Sequence, residues 1–327
     1  SHSSRPKMFV FNGVSDLLIH DLTFVNSPSF NILLKPVLRA EIKNVTVITD
    51  RAVVRQIKST MAATRRRLTL ASNEQLASSG SYSSTLQPED LNTDGIDPMG
   101  RDIFIHDCNI QNDDDSIAVK PLSNDYVGDE HLTCTENVLI ENTRLTGFGA
   151  SIGSVPPHPD HNCVRNITFR NISMPGTGKG IYIKSNPTCA ADGSKTAEIT
   201  NILYEHVDIK KPLWFSIWIG PQQQHEPGSS LGNKCALIYP LFNTKCPTQS
   251  CVDFRNITLR NVTITDPLLS PGVILGNATN KMSGIIFENV EVINSGSLPF
   301  GKGYQCKNAI GVATGTTHPV PSCFSQQ

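Results

Sequence analysis

The chain has 327 residues, 38% of them hydrophobic and 17% charged, and its 28 Lys and Arg nearly cancel its 29 Asp and Glu to a net charge of −1. That balance argues against a nucleic-acid binder or a surface made for anionic membranes, and no apolar run approaches the eighteen residues of a membrane-spanning helix. Apolar segments recur to the end of the chain, which excludes global disorder.

Nine cysteines (108, 134, 163, 189, 235, 246, 251, 306 and 323) contain no Cys-x-x-Cys pair, so no zinc framework is expected. Six Asn-x-Ser/Thr sequons, at Asn44, Asn166, Asn171, Asn256, Asn261 and Asn277, join them in pointing to an oxidising, secretory route. The odd cysteine count leaves one thiol free or paired outside the chain.

In chain order, eight segments share a short strand, a polar hinge and a second short strand: 17–26, 40–49, 102–111, 137–146, 166–175, 201–210, 256–265 and 284–293. The hinges are Asp21, Asn44, Asp107, Asn142, Asn171, His206, Asn261 and Asn289. Asn tolerates left-handed backbone, and stacked amides can bond from one repeat to the next. A unit this short cannot bury its own apolar face and must stack on its neighbours. The pattern predicts an all-β, single-stranded, right-handed parallel β-helix, and the spacing is too tight for four-stranded propeller blades. Gaps between hinges run from 23 to 63 residues. The 55-residue gap is read as an additional coil plus a Gly/Pro-rich loop. The 63-residue gap is read as one coil plus an atypical insertion over 51–90, with a triple Arg and a Ser-rich run. That insertion is either a basic loop that captures an acidic polymer or a flexible segment foreign to the solenoid.

Two acidic segments carry chemistry. Asn-Thr-Asp-Gly-Ile-Asp supplies Asp94 and Asp97, and a triplet supplies Asp113, Asp114 and Asp115. Asp94 and Asp115 are 21 residues apart, close to one coil, which puts them on adjacent rungs. Carboxylates that close keep one member protonated beside an ionised one, the equipment for cleaving a glycosidic bond. Calcium ligation is the other reading of such a cluster.

These segments, followed by GFGASIGS (147–154) and GIYIKS (180–185), resemble glycoside hydrolase family 28, the polygalacturonases, rhamnogalacturonases and related pectinases. The resemblance implies a single catalytic domain over 1–327 that lacks its N-terminal coils. It also implies inverting hydrolysis of pectic polysaccharide by a secreted monomer with no cofactor or metal ion. By this resemblance Asp115 is the general acid, Asp94 and Asp114 hold and deprotonate water, and Asn92 positions the sugar. Lys184 binds a substrate carboxylate or hydroxyl, and Asp113 has no catalytic role.

Two motif positions depart from the family. Phe148 stands where its Gly-His-Gly motif has His, and Tyr182 where its Arg-Ile-Lys motif has Arg. Both are expected to offer apolar or stacking faces to substrate. The departures leave open a different linkage or neutral sugar, a weakened polygalacturonase, or a relative that binds polysaccharide without cutting it. His158 and His161, Trp214 and Trp218, and residues 222–227 are assigned to a surface loop, to packing and to a solvated loop tip respectively.

Overall fold

The computed structural model describes residues 5–49, 91–122, 132–156, 162–186, 197–224, 235, 239–240 and 245–326. Among them there is no helix, and every strand pairing is parallel. Long strands such as Cys134–Leu145, Asn162–Pro175, Ala197–Lys210, Val252–Thr265 and Met282–Ile293 stack one on the next. A second ladder of short strands runs through Ile117–Val119, Ala150–Val155, Ile181–Ser185, Ile217–Gln222, Gly272–Leu275 and Tyr304–Lys307. The chain is a parallel β-helix.

All eight polar hinges have left-handed backbone, with φ between 51° and 54°. A second left-handed column stands five residues earlier at Asn137, Asn166, Asn201 and Asn256. Its amides form a ladder: Asn166 donates to Asn137 at 3.3 Å, Asn201 to Asn166 at 3.3 Å and Asn256 to Asn201 at 3.1 Å. In the hinge column Asn171 donates to Asn142 at 3.2 Å and Asn289 to Asn261 at 2.9 Å. Each bends a strand without orphaning the polar group that makes the bend.

Inside, side chains repeat by rung. Ile96, Ile117, Ala150, Ile181 and Ile217 are in register and wholly buried. Phe169 and Tyr204 continue another interior column as parallel rings 4.8 Å apart. Each fully buried Ile contributes about 2–3 kcal/mol relative to exposure. No unit could close such a core alone.

The two long gaps each span a single rung step. Ile32–Lys43 pairs directly with Gly100–His106, so 51–90 is an excursion from one coil, and it lies outside the described residues. Ala197–Lys210 pairs directly with Val252–Thr265. The additional coil expected in the 55-residue gap is therefore absent: parallel pairing there leaves no open edge for another rung to occupy.

Disulfides join Cys134 to Cys163, Cys235 to Cys246 and Cys306 to Cys323, Cys251 is also disulfide-bonded, and Cys108 is a buried free thiol. Burial of Cys108 pushes its pKa up to about 11, which suits an inert core thiol.

Candidate active site

The acidic residues occupy one corner of the solenoid on consecutive rungs, each turn feeding a strand of the short-strand ladder. Gly95 N–H donates to Asp115 O, Ile117 N–H to Gly149 O and Ala150 N–H to Gly180 O, which ties the turns at 91–95, 112–116, 146–149 and 177–180 into one stack. Asn112, buried, clamps the first two. Its Nδ2 donates to the carbonyls of Thr93 at 3.0 Å, Asp114 at 3.0 Å and Asp115 at 2.8 Å, while its Oδ1 accepts Ser116 Oγ at 2.8 Å. Gly147 is left-handed (φ 46°), and a Cβ there would stand 2.3 Å from Asp114 O, so this turn takes only glycine.

Four carboxyl groups and two ammonium groups meet at this corner. Lys120 Nζ lies 3.5 Å from Asp94, 3.6 Å from Asp97 and 3.8 Å from Asp115. The bonded oxygens of Asp94 and Asp115 are thus at most about 7.3 Å apart, within the span of inverting carboxyl pairs. Lys184 Nζ donates to Asp115 Oδ2 at 2.5 Å, and Ser151 Oγ to Asp115 Oδ1 at 2.8 Å. Asp114 accepts the backbone N–H groups of Asn92 at 2.6 Å and of Asp115 at 2.9 Å. Asp94 and Asp115 are buried, whereas Asp114 and Lys120 reach the surface in part.

The environment separates their proton affinities. Burial, reinforced by Asp97 and Asp114, pushes Asp94 well above the usual carboxylate range. Burial drives Asp97 up to about 7 against the pull of Lys120. Asp114 is raised by burial and by Asp115, with Lys184 and the Asn92 N–H opposing. At Asp115 burial is outweighed by Lys184 and Lys120, and its carboxyl sits below its ordinary value. The resting site therefore holds an ionised Asp115 among carboxyls that retain protons. This runs against the proton-donor role that the family resemblance implies for Asp115: two cations and a hydroxyl donor favour its anion.

The other sequence-predicted residues are placed as follows. Asn92 adjoins the cluster through its backbone, in left-handed conformation (φ 61°). Asp113 is buried in the same turn, its N–H donating to Thr93 Oγ1 at 3.2 Å. Phe148 and Tyr182 do not present open faces: both are buried, and both rings lie against Lys179. Trp218 is wholly buried and packs on Phe215 and Tyr239, as the packing assignment expects, although Phe215 shares its cluster rather than facing away. Gln222 and Gln224 are buried, so the start of 222–227 is no solvated tip: the strand Ile217–Gln222 carries it into the core of the outward face. His158 and His161 lie outside the described residues.

Lys120, Ser151 and Lys179 were missed by motif reading. Lys120 had a signal: it follows the Asp triplet by one strand, and outward alternation from Asp115 returns it to the same face. Ser151 and Lys179 are defined by register across rungs, which local spacing does not show.

Among solved structures, the polygalacturonase from Erwinia carotovora ssp. carotovora superposes with a TM-score of 0.58 at 21% identity, covering 94% of this chain and 60% of that one, and this likeness speaks to the fold. An exopolygalacturonase of Cochliobolus carbonum is 26% identical over 245 residues, 68% of this chain and 46% of that protein. An endo-polygalacturonase of Pectobacterium carotovorum subsp. carotovorum is 36% identical over 127 residues, 37% of this chain and 27% of its own. The chain thus spans less than half the length of these curated relatives. The family description "Glycosyl hydrolases family 28" matches residues 1–317, and with the solenoid and its acidic corner in place, the chain belongs to that family.

Proposed function

We propose that this protein hydrolyses glycosidic bonds of a galacturonate-containing pectic polysaccharide by a single, inverting displacement. The carrying observation is the split charge state at the acidic corner, with an ionised Asp115 at most about 7.3 Å from a proton-retaining Asp94. An inverting glycosidase needs one carboxylate to take a proton from water and one carboxylic acid to give a proton to the leaving oxygen.

Asp115, anchored by Lys184 and Ser151, is the carboxylate that accepts the proton of water. Asp114 is the donor: its affinity is raised, and it is the cluster's carboxyl that reaches the surface where a glycosidic oxygen arrives. Asp94 faces Asp115 across Lys120 and holds the water. In the step, the water oxygen bonds to the anomeric carbon as the carbon–oxygen bond to the leaving sugar breaks. One water proton passes to Asp115, and the proton of Asp114 goes to the leaving oxygen. Lys184 orients Asp115 and offers a donor to the sugar. The disulfides fit a protein made in an oxidising compartment, and we infer that it is secreted.

The test is the product profile on polygalacturonan and on rhamnogalacturonan, with the anomer of the first product followed by proton NMR, in the presence and absence of a chelator. Release of the inverted anomer, unaffected by chelator, is expected. Retained configuration, loss of cleavage on chelation, or an intact polymer would each overturn the reading.

A further inference from the structure

Lys179 is 1% exposed, and among the described residues no carboxylate lies within ion-pair distance of it. Its Nζ is 3.8 Å from the ring centre of Tyr182, 4.9 Å from that of Phe148 and 5.5 Å from that of Trp218. It donates a hydrogen bond to Gln224 Oε1. Three aromatic faces around one nitrogen make a cation cage, and a buried cation calls for an anion. Burial, with Lys184 nearby, lowers the affinity of this amine for its proton well below the ordinary lysine value. In the unliganded protein an uncharged amide carbonyl stands where the counter-ion would be.

Two walls of the cage are Phe148 and Tyr182, the positions at which this chain lacks the His and Arg of its family motifs. Positive charge has moved three residues upstream without leaving the corner. The nitrogens of Lys179 and Lys184 lie 3.8 and 4.3 Å from the Tyr182 ring centre, which keeps them within about 8 Å of each other. Lys184 in turn touches Asp115 at 2.5 Å. A sugar seated beside Asp115 has its carboxylate within one unit's reach of Lys179.

We propose that Lys179 is a specificity-determining residue that receives the carboxylate of a uronate unit next to the scissile bond, displacing the side-chain carbonyl of Gln224. The inference rests on the pectin-hydrolase reading above. A carboxylate there supplies the missing counter-ion, and a charge-assisted bond replaces a neutral one. A neutral sugar would leave the cage as it is.

Binding of trigalacturonate and of its carboxyl-reduced counterpart, measured by calorimetry on wild type, Lys179→Met and Gln224→Glu, tests this. Lys179→Met is expected to weaken trigalacturonate binding by roughly tenfold or more while changing the reduced sugar less than about twofold. Gln224→Glu places a carboxylate on Lys179 permanently. It is expected to raise thermal stability and to weaken trigalacturonate binding to a similar degree, and it decides the matter on that ligand alone if Lys179→Met fails to fold. Equal losses on both sugars, or unchanged trigalacturonate binding in Gln224→Glu, would reduce Lys179 to a packing residue. Wild type that binds and cleaves polygalacturonan with either of those outcomes would overturn this inference alone, whereas wild type that binds neither sugar would remove the functional reading with it.

Discussion

One outward row of the short-strand ladder runs Ala118, Ser151, Tyr182, Trp218, Val273 and Gln305 in register, and its two halves behave as different materials. At the Ala118–Ser151 end the face is small and polar, and four carboxyls crowd over it. From Tyr182 onward it is covered by rings, with Trp218 packed on Tyr182, Phe215 and Tyr239, and Phe215 on Phe300. The backbone is the same in both. The acidic half keeps buried charge together at a cost in folding energy, and the aromatic half returns stability through buried area. The comparison teaches that chemistry here is written on the outward row, while the inward rows, Ile over Ile, carry the fold unchanged through both halves.

The largest expected difference between the halves is catalytic. Asp115→Asn should lower kcat on polygalacturonan by about a thousandfold with the melting temperature little changed, because it removes the proton acceptor and keeps the shape. Asp114→Asn should cost a comparable factor, and the two should differ in pH dependence. The limb that falls at low pH, as Asp115 takes up a proton, disappears in Asp115→Asn. The limb that falls at high pH disappears in Asp114→Asn. The opposite pairing of limbs and variants would exchange the two roles.

Trp218→Ala makes the contrasting cut in the aromatic half. Removing a wholly buried indole should destabilise the protein by about 3–5 kcal/mol, read as a lower denaturation midpoint in urea. At temperatures where the variant is folded, kcat should stay within a few-fold of wild type. A kcat loss rivalling that of Asp115→Asn would erase the division between the halves.

How much of this was legible in sequence follows the same division. The hinges were readable because Asp21, Asn44 and Asn142 do a backbone task that few residue types perform, and all adopt left-handed φ. Asp94 and Asp115 were readable because 21 residues of spacing approximates one rung. Lys179 was not, since its partners Phe148, Trp218 and Gln224 come from three other segments whose meeting depends on register across rungs. Nor was the proton distribution. Asp94 and Asp115 look alike in sequence, and what separates them is that Lys184 and Ser151 touch only Asp115 among the described carboxyls. The 55-residue gap misled because its strand-like LWFSIWIG is the short strand of the existing rung, paired to Ile181–Ser185 on one side and Gly272–Leu275 on the other.

A smaller effect sharpens the claim that the acidic half costs stability. Asp97 is wholly buried and titrates near 7 in the folded protein, far above an unfolded Asp at 3.8. A raised folded value gives stability that is fully present below the unfolded pKa and is lost as pH rises through the folded one. Wild type should therefore lose stability between pH 4 and pH 8 on account of this group, and Asp97→Asn should not. The variant is expected to gain roughly 2–3 kcal/mol relative to wild type across that window, less than the full shift because Lys120 gives up a partner. A stability difference that is flat with pH, in urea melts at pH 4, 6 and 8, would remove Asp97 from the charge balance.

The finest cut is Ser151→Ala, at the join between the two halves. Ser151 is wholly buried, pairs in register with Ala118 on one side and Tyr182 on the other, and its Oγ donates to Asp115 Oδ1 at 2.8 Å. Alanine fits this row already, at 118, so the substitution removes a hydroxyl without opening a large cavity. Asp115 keeps Lys184 and Lys120, which hold its carboxyl down more strongly than the hydroxyl does. The low-pH limb of kcat/KM, the limb assigned to Asp115, should move upward by less than about one pH unit, with kcat on the plateau reduced only a few-fold, in line with one neutral-donor bond to a carboxylate. Movement of the limb downward would mean that Ser151 stabilises the protonated form, and Asp115 would then return to the role of proton donor.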